Sequence, residues 1–260
     1  MENKQTVGSL LKMWRERRRK SQLDLSLDAE ISTRHLSFVE TGRALPSREM
    51  ILLLAEQLEI PLRERNKILI VAGYAPSFSE KTIDDVSLKA VKEAMELILQ
   101  GHEPFPAIAV DRHWNMVAAN KTVPLLLNDI SPELLEPPVN VLRLSLHPKG
   151  LAPRIINLPD WREHLLSRLK REVNDTADFG LEELLNELNS YKVANKKERN
   201  YTKEEGIIVP LKIETQFGIL SFISTTTVFG TPVDITVSEI ALETFFPADE
   251  QTREIFMQLK

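Results

Sequence analysis

The sequence contains no cysteine. That excludes a disulfide framework and a thiolate metal site. Histidine is scarce too, and the five present, at positions 35, 102, 113, 147 and 164, show no metal-ligand spacing. No apolar run approaches the roughly 20 residues a membrane helix needs. The opening MENKQTVGSLLKMW lacks the apolar centre of a signal peptide. Gly-x-Ser-x-Gly, the P-loop, Gly-x-Gly-x-x-Gly and His-Glu-x-x-His are all missing, so catalysis has no positive support. What remains is a protein expected to be cytoplasmic, without cofactor or metal, and not an enzyme. At 260 residues and 42% apolar content it has room for two cores.

Charge is unevenly spread. The chain carries a net −5, yet residues 1–48 hold ten Lys and Arg against six Asp and Glu, an excess of four. Such asymmetry points to one end that meets a polyanion, or to a solvated charged face.

Residues 7–73 have the period of short helices. Val7, Leu10, Leu11 and Trp14 repeat at helical spacing before the basic run RERRRK. Ser21 and Ser32 are placed to cap the second and third helices, and Gly42 to stop the third. Leu23 and Leu27, with Leu25 as a further candidate beside them, are expected to face inward in the second. Pro46-Ser47 opens a fourth helix and Pro61 a fifth. APSFSEKTIDD, from Ala75 to Asp85, has no period and reads as a linker. A helix with Val91, Met95 and Ile98 on one face follows. AIAVDRHWNMVAAN then reads as a hairpin around Asp111-Arg112-His113. DWREHLLSRLKREV and LEELLNELNSY are amphipathic helices, with Asp160 as the cap of the first. GIIVPLKIET, FGILSFISTTTVF and SEIALETFF are β-rich, and PADEQTREIFMQLK closes as a helix.

Two short helices, SQLDLSLDAE and TRHLSFVET, joined by a tight turn at Ile31-Ser32, are what a helix-turn-helix requires. Its second helix enters the major groove with its leading side chains at base edges. A helix start offers unpaired N–H groups and partial positive charge to phosphates. Thr33 and Arg34 are the best-placed readers, Arg being the usual partner of guanine. His35 sits beside them, and Ser37 and Phe38 lie one turn on; His35 and Phe38 could equally be packing residues. A helical bundle used for protein contacts is the alternative.

The stretch SQLDLSLDAEISTRHLSFVETGRALPSREMILLLAEQLEIP resembles the helix-turn-helix of the xenobiotic-response-element (XRE) type, related to phage Cro and C1 repressors. The resemblance implies a lambda-repressor-like major-groove reader. It places Gln22 on a phosphate, brings Thr41, Gly42 and Arg43 to the DNA backbone, and turns Glu40 toward the protein. Glu30 stands where many relatives carry glycine. If its φ is positive, the turn bears strain on the order of 1 kcal/mol.

NVLRLSLHPKGLAPRIINLPDWREHLLSRLKRE and FGTPVDITVSEIALETFFPADEQTRE resemble the ligand-binding domain of MmyB-like transcription regulators. That resemblance implies a PAS-like sensor and, in some relatives, a bound fatty acid. Phe105, Ile108, Val110, Trp114, Val117 and Phe222 are the leading candidates for an apolar lining. Leu142, Leu144, Ile208, Leu220 and Phe229 accompany them. A carboxylate would need a cation, and Arg143, His147, Arg154 and Arg162 are at hand near the loop-rich segment, Arg154 preferred.

The expected fold is α+β: an all-α five-helix DNA-binding domain over 1–74, a linker and connecting helix over 75–103, and a PAS-like ligand-binding domain over 104–260. The expected protein is a regulator that binds double-stranded DNA as a homodimer on a near-palindromic operator and senses a small apolar ligand. Rival readings are a second domain that only dimerises, an enzyme with an added DNA-binding domain, and an antitoxin-like partner module.

Overall fold

The computed structural model describes residues 5–192 and 207–259. The chain forms two compact units, residues 1–81 with 232–235, and residues 82–231 with 236–260.

The first unit is helical: α1 (Val7–Arg17), α2 (Gln22–Asp28), α3 (Thr33–Glu40), α4 (Arg48–Gln57) and α5 (Leu62–Val71). Ser21, Ser32 and Ser47 each accept a backbone N–H at the head of a helix, and so fix where α2, α3 and α4 begin. Leu11, Trp14, Leu25, Leu36, Val39, Ile51 and Leu54 are fully buried. In α2 the buried residue is Leu25, while Leu23 and Leu27 are 57% and 68% exposed, which corrects the inward reading of those two. Leu25 shares its face with Ser26 and Ala29, and these small residues let α2 approach its neighbours closely. Glu30 closes the α2–α3 turn at φ 51°, so the strain expected of a non-glycine residue there is present.

A buried ion pair ties three of these helices together. Arg15 of α1 donates to Glu40 of α3 through Nε (2.6 Å) and Nη2 (2.8 Å). Gln22 of α2 donates to the same carboxylate at 2.8 Å. Burial pushes the Glu40 carboxyl up, but hydrogen bonds from Arg15 and Gln22 and the Arg15 charge outweigh it and hold the pKa below the usual range. Gly8 of α1 lies directly on the end of α3, where an added Cβ would stand 2.2 Å from the Val39 carbonyl oxygen.

Residues 77–78 are not free linker. The Asn66 side chain accepts from Ser77 N and Phe78 N and donates to the Phe78 carbonyl. The helix expected in the connection, α6 (Lys89–Gly101), belongs to the second unit, where Met95 and Leu99 pack with Ala107, Ala109, Ile240 and Leu242.

The second unit holds a five-stranded antiparallel sheet in the order β2-β1-β5-β4-β3. Its strands are β1 (Ala107–Val110), β2 (Met116–Ala119), β3 (Leu211–Thr215), β4 (Gly218–Val228) and β5 (Ala241–Pro247). The β1–β2 turn is held by Asp111, whose Oδ1 accepts from His113 N and Asn115 N. Between β2 and β3 the chain makes α7 (Val141–Leu146), α8 (Leu158–Thr176) and α9 (Phe179–Ser190); the short α10 (Ile235–Ser238) precedes β5, and α11 (Glu250–Gln258) follows it. α8 starts before Asp160, with Asn157 at its cap position, because Pro159 suits a first turn; Asp160 lies inside that turn and is not the cap. Trp161, Leu165 and Leu169 of α8 pack into the core that Ile213, Leu220 and Phe222 supply from the sheet.

Two outcomes are expected for full-length protein in urea, read by hydrogen exchange at the Leu36 and Val39 amides. Gly8→Ala destabilises the first unit by about 1–3 kcal/mol, because α1 must lift from α3. Glu40→Gln costs about 3 kcal/mol at neutral pH, since it leaves Arg15 buried without its anion. A carboxyl whose pKa falls on folding contributes fully above its unfolded value, near 4.3, and loses that contribution as pH drops through the folded value. The gap between wild type and Glu40→Gln therefore narrows on acidification below about pH 4. A gap independent of pH would refute the charged pair.

Candidate DNA-reading surface and ligand cavity

The head of α3 is turned outward. Ser32 Oγ accepts from His35 N at 3.1 Å and sets the first turn. Arg34 and His35 are exposed, while Thr33, Ser37 and Phe38 are half-buried beside them. The Thr33 hydroxyl shares a 2.8 Å hydrogen bond with Ser26 of α2, which locks the two helices at their junction. Arg34 and Arg43 both lie against the Phe38 ring, at 5.3 and 5.9 Å from its centroid. Phe38 thus carries two guanidinium groups against its ring. Thr41 and Arg43 are exposed just past the helix, where Gly42 takes φ 73°. Gln22 is half-buried, and one N–H of its amide is given to Glu40.

Much of the basic run at the end of α1 is structural. Arg15 is buried on Glu40. Arg18 donates to the carbonyls of Leu58 and Glu59 and so closes α4. Lys20 pairs with Asp28 and donates to the Gln57 carbonyl. The excess positive charge of the first 48 residues is therefore partly internal, while Arg34 and Arg43 are exposed at the head of α3 and just past its end.

In the second unit a cavity of about 110 Å³ lies between the sheet and the helices. Ile108, Met116, Leu211, Phe222 and Phe245 line it from the strands. α7 gives Val141, Leu142, Leu144 and Ser145, and α8 gives Trp161, Leu165 and Arg168. Trp114, from the β1–β2 turn, completes one wall. Of the residues expected to line a pocket, Ile108, Trp114, Phe222, Leu142 and Leu144 meet here.

The others are elsewhere. Phe105 packs on Phe256, with ring centroids 6.0 Å apart. Val110 and Leu220 are buried core away from the cavity wall. Val117 and Ile208 are exposed, and Phe229 packs in the separate cluster around Met95. The four cation candidates are all taken by structural partners. Arg143 makes a bidentate pair with Glu187, both contacts 2.8 Å at their shortest. His147 meets the Tyr191 ring edge-on and accepts from Lys149 N. Arg154 donates to the carbonyls of Leu126, Asn128 and Glu214. Arg162 caps the end of α9 through the Leu188, Asn189 and Tyr191 carbonyls.

The charge at the cavity wall was not singled out in the sequence. It is Arg168, which pairs with Glu243 of β5 at 2.7 Å and lies 4.5 Å from the centroid of the Trp114 ring. Glu172, one turn on in α8, accepts from Trp114 Nε1 at 2.7 Å and from Arg168 Nε at 3.3 Å. Burial pushes the Glu172 carboxyl above its usual range, against the pull of these two donors. Beside them, burial and the charges of Arg168 and Arg171 push His164 down, which favours its neutral form. A signal was present in the sequence: Glu243 interrupts the apolar run IALETFF, where a charge needs a buried partner. The identity of that partner, 75 residues away, was not.

Among the described residues no helix is long and apolar enough to cross a membrane. A helix-turn-helix family model matches residues 11–65, which span α2 and α3. The model of the MmyB-like transcription regulator ligand binding domain matches residues 91–259, from α6 to α11. Both families are regulator domains and neither is an enzyme family. No curated protein matches the chain. With well over half its length in the second match and a DNA-binding motif in the first, the chain belongs to the MmyB-like transcription regulators, with an N-terminal helix-turn-helix domain and a C-terminal ligand-binding domain.

Proposed function

We propose that this regulator reads a specific operator through α3 and that a small apolar molecule in the second unit controls the reading. The observation that carries the ligand half is the cavity itself: about 110 Å³ of nearly all-apolar wall, in a domain whose family binds ligands. A cavity of that order admits a one-ring molecule or a segment of a longer chain. The strand order β2-β1-β5-β4-β3 supports the PAS-like reading of this unit. Fatty acids are the ligand implied by the family resemblance, and their alkyl part suits such walls.

In the first unit Arg34 is the principal base reader, with Thr33, Ser37 and His35 around it, and Arg43 and Thr41 meet the phosphate backbone. Gln22 keeps Glu40 in place while its outward edge faces the backbone. A homodimer presenting two such helices places them about 34 Å apart, so the operator is a near-palindrome with half-sites one turn apart. Control needs a ligand that binds one domain arrangement better than another, since equal binding shifts nothing. Such a protein works in the cytoplasm, where its operator is.

The DNA reading is tested with an operator selected from random duplexes. Arg34→Ala lowers affinity for it by about 1–3 kcal/mol and relaxes choice at one base pair. Arg43→Ala weakens all sequences alike and flattens the salt dependence. Unchanged operator choice in Arg34→Ala would remove α3 from its assigned role. For the ligand half, solvent extraction of purified protein followed by mass spectrometry yields one small apolar molecule reproducibly; repeatedly empty extracts count against sensing.

A further inference from the structure

We infer that the cavity accepts a ligand with an uncharged, hydroxyl-bearing end, an alcohol or a phenol, in preference to a carboxylate; this rests on the ligand-binding reading above.

Among the described residues, two charged side chains, Arg168 and Glu243, reach the cavity wall. They are spent on each other. Arg168 Nη2 and Nη1 donate to the two Glu243 oxygens at 2.7 and 3.2 Å, and Arg168 Nε donates to Glu172 at 3.3 Å. Glu243 also accepts from Thr226 Oγ1 at 2.9 Å, and its side chain is only 4% exposed. One cation therefore faces two carboxylates. These three hydrogen-bonded side chains set one positive charge against two acids, so the guanidinium offers no spare positive charge to a ligand. A ligand carboxylate arriving there would be a further acid on a guanidinium already shared. Arg143, His147, Arg154 and Arg162, the cations first considered for a ligand, are held by structural partners.

Neutral hydrogen-bonding groups are available instead. Ser145 Oγ accepts from Trp161 Nε1 at 3.0 Å, which fixes the oxygen and leaves its own proton to give. The Ser224 hydroxyl lines the same cavity and makes no hydrogen bond to a described residue. A hydroxyl both donates and accepts, so a ligand O–H can answer either serine without bringing charge into the apolar space.

The test uses four probes of one size, toluene, benzyl alcohol, benzoate and benzylammonium, titrated calorimetrically into the full chain at pH 7.5. Wild type is expected to bind benzyl alcohol at least tenfold more tightly than either charged probe. Glu243→Gln removes one of the two acids on Arg168 and is expected to raise benzoate affinity at least tenfold. A merely greasy cavity would reject benzoate in both proteins, so an unchanged benzoate affinity in a folded Glu243→Gln overturns the inference. Benzoate or benzylammonium binding as tightly as the alcohol in wild type overturns it without any variant. Ser145→Ala should weaken benzyl alcohol and leave toluene unchanged; equal effects on both count against the hydroxyl seat. Toluene binding alone leaves the ligand-binding reading standing and removes this one, whereas four silent probes remove both.

Discussion

Arg15 and Glu40 meet out of water, and the position of α3 follows from that meeting. A guanidinium and a carboxylate in a protein interior are tolerated only together and only with their remaining valences filled. Here Gln22 takes one more lone pair of Glu40, and the Lys20 carbonyl accepts from Arg15 Nη1. The result is a polar knot among α1, α2 and α3 that admits one arrangement of the three. Around it the apolar residues close, and Gly8 lets α1 sit directly on the end of α3. The outward face of α3 is the complement of that inward anchoring. Arg34 and His35 are exposed because Leu36, Val39 and Glu40 are not.

The second unit repeats the theme with a different outcome. Arg168 and Glu243 link α8 to β5 across the core, but beside them the packing is left incomplete. Protein interiors are otherwise filled to the density of organic crystals, and an unfilled apolar space forfeits contacts on every side. Such a space is a cost to stability that a guest can recover. The ligand domain and the DNA-binding domain thus share a device, a buried ion pair, put to two uses: one fixes a helix, the other braces a void.

The helical frame of the first unit was legible because it is written locally. Serine caps, a closing Gly42 and period-three-to-four apolar residues each act within one turn. The phase of α2 was not legible, because Leu23, Leu25 and Leu27 offer two faces and only tertiary contact with α3 and α4 chooses Leu25. The strands were legible from their β-branched runs, and the hairpin from Asp111. The cavity was half legible: Ile108, Trp114 and Phe222 were named for it, whereas Phe105, Val117 and Val110 are equally apolar and point elsewhere. Its charged corner was hidden. SRLKREV reads as a wet helical face, and nothing local marks Arg168 as different from Lys170 or Arg171. What distinguishes it is Glu243, brought close by the sheet. Arg143 and Arg154 drew attention as cations near the loop-rich segment, and the fold had already given each a structural partner.

The span from Arg168 to Glu243 has a further meaning for the architecture. Two long polar side chains end to end act as a strut that keeps a helix from settling onto the sheet. Compact aliphatic residues in both places would take the brace away and leave the buried Glu172 with Trp114 Nε1 as its donor and no cation beside it. Within one fold, then, the strut and the unfilled space beside it come as a pair, and neither side chain can be changed without reaching the other two.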